Sequence, residues 1–178
     1  MFRIVSAVTS LEQHFVAVAR DPDVYRPVAC PHCGIGGLWR HGCYHRKADR
    51  DARTRASRNP VPILRFCCQG CRRTCSRLPA CIAPRRWYDW AVQQLVLLCL
   101  LGGGSLHRAS RLCNVDRHTA RRWWNWLEAR SETFAFFLRS RFPEWGRTRD
   151  RESFWRTCLG DMPLHEVMAW LDRELIVP

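Results

Sequence analysis

The pattern that most restricts how this chain can fold is a pair of cysteine doublets, Cys30-Pro31-His32-Cys33, followed by Gly34, and Cys68-Gln69-Gly70-Cys71. Two residues between cysteines let one tight turn aim both thiolates at a single tetrahedral ion, and amides of the same turn can donate to the sulfurs. Two such turns supply four thiolates and leave no open coordination position. The spacing therefore predicts one structural Zn2+ held by Cys30, Cys33, Cys68 and Cys71, with a folding role and no catalytic one. The doublets stand 34 residues apart, more than the usual ~15–20, which calls for an inserted loop; the arginine-rich stretch 46–58 is the candidate. Cys67 competes with Cys68 but lacks the two-residue spacing to Cys71. Cys43, flanked by His41 and His45, is a weaker candidate ligand group. Cys75, Cys81, Cys99, Cys113 and Cys158 suit packing as small apolar side chains. A thioredoxin-like redox role is disfavoured, because no βαβ pattern surrounds either doublet.

The first twenty residues contain no long apolar run and no small-residue cleavage site, so a secretory signal is not expected. The longest apolar stretch, Ala91–Leu101, has 11 residues and includes Gln93 and Gln94. A membrane span needs about 20, so this stretch reads as a buried helix. Without export, 11 cysteines point to metal ligation before disulfides. The expected setting is cytoplasmic and nucleoid-associated.

The net charge of +13 implies an anionic partner, nucleic acid or a membrane surface. Of the 29 basic residues, 28 are arginine, whose fork matches phosphate and guanine bidentately. Residues 1–39 are net zero, residues 40–86 net +11 and residues 87–178 net +2. The excess thus falls on the segment between and around the doublets, where Arg46, Lys47, Arg50, Arg53, Arg55 and Arg58 are candidate phosphate contacts.

Helical signals flank this segment. Thr9-x-x-Glu12 and Ser10-x-x-Gln13 both fit a capping box for a helix over 9–20, with Leu11, Phe15 and Val18 on one face. Small β-structure is expected from Cys30 to Ser76, with Ile63–Cys67 as a strand. Further helices are predicted over 87–101, stopped by Gly102-Gly103-Gly104, over 105–112, and over 116–130 with a continuation towards Arg141. Pro143 ends that run, and a last amphipathic helix covers 163–175.

The segment 105–123 has a helix-turn-helix layout. Ala109 is small where two helices cross, Asn114 can take the left-handed conformation of a tight turn, Val115 plugs the core and Asp116 caps the second helix. Ala120 and Trp123 face inward. Arg117, His118 and Arg121 then occupy the open face near the helix start, where a recognition helix reads the major groove. Arg122, Arg108 and Arg111 suit phosphates. Trp124 and Trp126 are open to either base stacking or core packing.

These residues occur in a familiar order: Tyr25-Arg26-Pro27, Cys30-Pro31-x-Cys33-Gly34, Trp39-Arg40-His41-Gly42, Arg65-Phe66-x-Cys68-x-x-Cys71, Arg73-Thr74-x-Ser76-x-Leu78-Pro79, Pro84 and Thr119-x-x-x-Trp123. Over about residues 22–130 the chain resembles a bacterial family of unknown function that joins a transposase-type zinc ribbon to a helix-turn-helix. The resemblance implies DNA binding linked to mobile elements, and by position it implies the same four zinc ligands. Two positions depart from the pattern: Arg72 stands where related ribbons often have glycine, and Cys75 where an aromatic is usual.

A transposase nuclease needs three carboxylates on a sheet core. The 48 residues after Arg130 read as helix and short loop, so Glu132, Glu144, Asp150, Glu152, Asp161, Glu166, Asp172 and Glu174 are expected on solvated helix faces, without catalysis. The fold expected is mainly α with a small β zinc ribbon (α+β). Its parts are an N-terminal helix and linker (1–28), the ribbon with its arginine-rich loop (29–86), a helix-turn-helix with extended helix (87–142) and C-terminal helices (143–178). A competing reading is a non-catalytic subunit that binds a transposase or RNA, or self-associates, through an aromatic surface of Phe134, Phe136, Phe137, Trp145 and Trp155.

Overall fold

In the computed structural model, which describes residues 3–49, 56–84, 88–148 and 150–174, the chain forms two compact units. The first runs to Asp89, and the second spans Trp90–Glu174. The class is α+β, with six α-helices and two small sheets among the described residues. The predicted N-terminal helix and cysteine-bearing sheet share the first unit, and the helices on both sides of Pro143 share the second.

The first unit is organised by an apolar strand. Val61–Cys68 (β3) pairs antiparallel with Leu38–Arg46 (β2) on one side and with the short Thr74–Cys75 (β4) on the other. Successive side chains of a strand point to opposite faces. Val61 and Ile63 accordingly join Leu78 and Ile82 in one cluster, while Leu64, Phe66 and Cys68 join Val5, Val8, Tyr25, Cys30 and Leu38 in another. Strand β2 is exposed beyond Leu38 and presents Arg40, His41 and His45, a charged edge of the kind that resists strand addition. A register shift lies between Arg40 and Cys43. A second, parallel pair joins Ile4–Val5 (β1) to Leu78–Pro79 (β5).

Helix α1, Leu11–Arg20, begins where the capping pattern places it. Ser10 Oγ accepts from the Gln13 amide at 3.1 Å, and Gln13 Oε1 accepts from the Thr9 amide at 2.9 Å. Its inner face differs from expectation. Leu11, Phe15 and Val18 are only half-buried, and His14 is the buried residue. The imidazole is held by Tyr25 Oη at 2.6 Å and the Pro62 carbonyl at 2.8 Å. A polar residue is buried here because both ring nitrogens find partners.

The second unit is helical: α2 (Trp90–Leu101), α3 (Leu106–Cys113), α4 (Arg117–Arg141), a 3-10 turn (Pro143–Arg147), α5 (Arg151–Asp161) and α6 (Leu164–Glu174). Trp87 and Leu175, at the expected ends of two of these helices, lie outside the described residues. Helix α5 falls within the span 143–178 expected to be helical, where the sequence sets bounds for only the last helix. Asp150 accepts from the Ser153 amide at 2.8 Å, and Phe154, Trp155, Cys158 and Leu159 are buried. Helix α2 ends at a close approach, where a Cβ on Gly104 would lie 2.6 Å from the Cys99 carbonyl oxygen.

Polar side chains inside this unit are tied to specific elements. Trp155 donates its indole N–H to Ser131 Oγ at 2.9 Å, and Ser131 donates to the Leu127 carbonyl at 2.7 Å. Gln94 bridges α2 to the corner between α5 and α6, donating to the Leu159 carbonyl and accepting from the Leu164 amide, both at 2.7 Å. The aromatic surface expected of this region is smaller than anticipated. Phe134, Trp145 and Trp155 are core residues, whereas Phe136 is 67% exposed and Phe137 half-buried. Trp123 is buried, Trp126 packs edge-on to Phe134, and Trp124 lies under the Arg151 guanidinium. No helix among the described residues is long and apolar enough to cross a membrane.

Candidate metal centre

The two cysteine doublets form equivalent turns. In the first, the Gly34 amide donates to the Cys30 carbonyl at 2.9 Å, and the Cys30 amide donates to the Ile35 carbonyl at 2.8 Å. In the second, the Arg72 amide donates to the Cys68 carbonyl at 3.1 Å, and the Cys68 amide donates to the Arg73 carbonyl at 3.0 Å. Both turns close on a residue in the left-handed region, Gly34 at φ 75° and Arg72 at φ 57°. Arg72 therefore occupies a position whose backbone suits glycine, at a cost of roughly 1–2 kcal/mol for a residue with a Cβ.

These turns bring the four sulfurs together. Cys30 Sγ and Cys71 Sγ are 3.6 Å apart, Cys33 Sγ and Cys68 Sγ 3.5 Å, and all four lie within 4.8 Å of one another. A disulfide needs about 2.05 Å, whereas a tetrahedral ion with metal–sulfur bonds of about 2.3 Å sets its ligands about 3.8 Å apart. None of the four cysteines is in a disulfide. The donor set fits a metal ion: four sulfurs, closely spaced, with the amide of His32 3.4 Å from Cys30 Sγ.

Cys30 and Cys68 are buried, Cys71 is half-buried and Cys33 is exposed. The site is thus rooted in the larger apolar cluster through one cysteine of each turn. Burial works against ionisation of Cys30, but the amides of His32 and Cys33 and the neighbouring thiols outweigh it and bring the group down to about 6. At Cys33 the Ile35 amide favours the thiolate, yet desolvation and the other three thiols push it up to about 11. Four sulfurs this close cannot all carry charge unless a cation shares the site.

Cys67 stays outside the cluster, its thiol directed at the Arg72 carbonyl at 3.5 Å. Cys43 is exposed and joins no such group with His41 and His45 among the described residues.

The basic residues singled out from the sequence fall in both units. In the second unit, Ser105 caps α3 and Asp116 caps α4, accepting from the amides of His118 at 2.8 Å and Thr119 at 3.3 Å. Between the helices Asn114 is left-handed at φ 49°, with Val115 buried beneath. Ala109 and Ala120 are fully buried, as a close helix crossing requires. Arg108, Arg111, Arg117, His118, Arg121 and Arg122 are all exposed, and Arg122 donates to Thr119 Oγ1 at 3.0 Å.

In the first unit Lys47 is exposed, Arg46 donates to the Ala83 carbonyl at 3.0 Å, and Arg58 faces Glu12 at 3.8 Å. Arg50, Arg53 and Arg55 lie outside the described residues. The base of that arginine-rich stretch carries a clasp that sequence reasoning missed. The Asp49 amide donates to Asn59 Oδ1 at 3.0 Å, Asn59 Nδ2 donates to the Asp49 carbonyl at 2.9 Å, and the Arg58 amide donates to Asp49 Oδ2 at 2.7 Å. An Asp and an Asn near a proline were the available signal.

Comparison of the chain with protein-family models, with curated proteins and with solved structures gives no match.

Proposed function

We propose that the chain is a non-enzymatic, sequence-specific DNA-binding protein of the transposase-associated kind, built from a zinc ribbon and a helix-turn-helix. The observation that carries this reading is the pair α3 and α4, joined through left-handed Asn114. It leaves Arg117, His118 and Arg121 exposed on the first turns of α4. A helix start with exposed arginines and a histidine is suited to base edges in a major groove, and Arg108, Arg111 and Arg122 beside it suit phosphates. The four-thiolate centre takes Zn2+ in this reading, since a closed sulfur set favours that ion in a folding role. The net +11 of residues 40–86 supplies non-specific attraction to the duplex.

Several carboxylates after Arg130 serve structure. Asp150 caps α5, Asp161 accepts the Trp145 indole N–H at 3.0 Å, and Glu152 pairs with Arg151 at 2.9 Å. This supports a chain without a nuclease of its own. The reading places the protein on DNA in the cytoplasm. The alternative, a subunit that docks on a transposase or RNA, draws on the exposed Phe136.

Selection of bound sequences from random duplex DNA by the zinc-loaded chain, at two salt concentrations, tests the proposal. Recovery of one motif at both concentrations is expected. Recovery of unrelated sequences at both overturns sequence-specific reading.

A further inference from the structure

One face of α4 is complementary to itself in charge and in volume. In the second unit a groove of about 600 Å³ is lined by Glu132, Ala135, Phe136 and Arg139 of α4 and by Phe154 and Trp155 of α5. Phe136 is 67% exposed and also lines a second groove, of about 350 Å³. An exposed ring thus borders two hollows, a knob beside a hole.

Each residue of a helix turns it by about 100° and raises it by about 1.5 Å. From a point midway between Ala135 and Phe136, Glu132 and Arg139 therefore lie about 5 Å away in opposite directions along α4, and within about 20° of one another around it. A two-fold axis through that point sets Glu132 of one copy against Arg139 of another, twice over, and Phe136 against the small Ala135. Arg130 and Arg141, the like charges related by the same axis, fall about 170° away, on the far side of the helix. Arg139 is already oriented: it donates to the Thr148 carbonyl at 3.2 Å, and its guanidinium lies 4.8 Å from the centre of the Phe154 ring. Neither Glu132 nor Arg139 has an oppositely charged partner among the described residues, whereas Arg151, which also lines the groove, is paired with Glu128 at 3.2 Å and Glu152 at 2.9 Å.

We propose that this face binds a second copy of the chain, α4 lying antiparallel on α4, with Phe136 of each copy seated in the groove of the other. Pairing across a two-fold axis requires a surface complementary to itself, and the Glu132–Arg139 spacing about Ala135 and Phe136 supplies one. The inference goes beyond the nucleic-acid reading and does not rest on it: the face lies about three turns along α4 from Arg121.

The test is sedimentation velocity on the zinc-loaded full chain, without nucleic acid, over a micromolar concentration series. The parent should be a dimer. Phe136→Glu, at an exposed position, should weaken association about tenfold or more. Glu132 is also exposed, and association should fall in the order parent, Glu132→Gln, Glu132→Arg. The most discriminating arm mixes the Glu132→Arg chain with the Arg139→Glu chain. Each alone sets like charges face to face, whereas the mixture restores two opposite pairs, so the mixture should associate more tightly than either chain by itself. Circular dichroism checks the helices of Arg139→Glu; if they are lost, the Glu132 series decides. A parent that stays monomeric leaves the face to a different macromolecule and overturns the proposal. So does a dimer indifferent to Phe136→Glu, a Glu132 series without change, or a mixture of folded chains no more associated than its components. With no DNA present, these results leave the recognition helix to the DNA selection.

Discussion

In the first unit the larger core cluster has eight buried members, and two of them, Cys30 and Cys68, are metal-site cysteines. In the second unit the buried set includes Trp90, Trp123, Trp145 and Trp155, with Phe134, Phe154, Leu159, Leu164, Val167, Met168 and Leu171. The first unit thus draws part of its core from the cysteines that could hold a metal ion. The second packs large side chains against one another, and among the described residues it holds no candidate metal cluster. The difference teaches where each unit is vulnerable: one to loss of a ligand, the other to loss of volume.

Removing the metal is the largest expected perturbation. Structural zinc contributes an apparent ~10–16 kcal/mol in small domains. Chelation, or Cys68→Ser, is expected to unfold the first unit and leave most of the helical signal, followed by circular dichroism together with thiol reactivity. Retention of protected thiols at Cys30 and Cys67 after chelation would remove the contrast. Trp155→Ala is next. It deletes a fully buried indole and its bond to Ser131, and is expected to cost the second unit about 3–5 kcal/mol. Metal content measured on the same sample should not change.

The buried imidazole of His14 gives the first unit a pH response. Burial holds it below the ordinary histidine range, while the Pro62 carbonyl works in the other direction. The unfolded chain therefore takes up this proton first as pH falls. Stability from this group is present above about pH 6.5 and declines below it. Denaturant melts of the loaded chain between pH 7 and 5 should show a smaller decline in His14→Gln than in the parent; an identical decline would show that His14 does not titrate differently on folding. The smallest effect is at the second cysteine turn. Arg72→Gly relieves a left-handed residue at φ 57°, offset by the greater freedom of glycine in the unfolded chain, so a gain of up to about 1 kcal/mol is expected. A loss of stability would mean that the arginine side chain contributes more than its backbone costs.

Features set by local chemistry were legible in the sequence. The doublets name the four clustered cysteines, and the choice of Cys68 over Cys67 follows from turn spacing alone. Ser10, Asn114, Val115 and Asp116 each act within a few residues of their own position, so their roles need no knowledge of the rest of the chain. What escaped depends on distant partners. His14 is buried because Tyr25 and Pro62 meet it, and neither lies in its helix. Strands β1 and β5 have two residues each, too short for any period to register. Helix α5 is different: its cap and its apolar spacing at Phe154, Trp155, Cys158 and Leu159 are local signals within the helical span expected over 143–178. Phe134, Trp145 and Trp155 looked like surplus surface because their covering elements include that same helix.

The central claim is that α4 reads sequence while basic surfaces hold phosphate. Its most direct measurement is the affinity of the zinc-loaded chain and of Arg121→Ala for a selected duplex and an unrelated one, across a salt series. If about six phosphates are neutralised, log K falls with log salt at a slope of roughly −5 for the parent chain. Arg121→Ala then loses about 1–3 kcal/mol of preference for the selected duplex while keeping its affinity for the unrelated one. A flat salt response, or equal losses on both duplexes, would contradict the account.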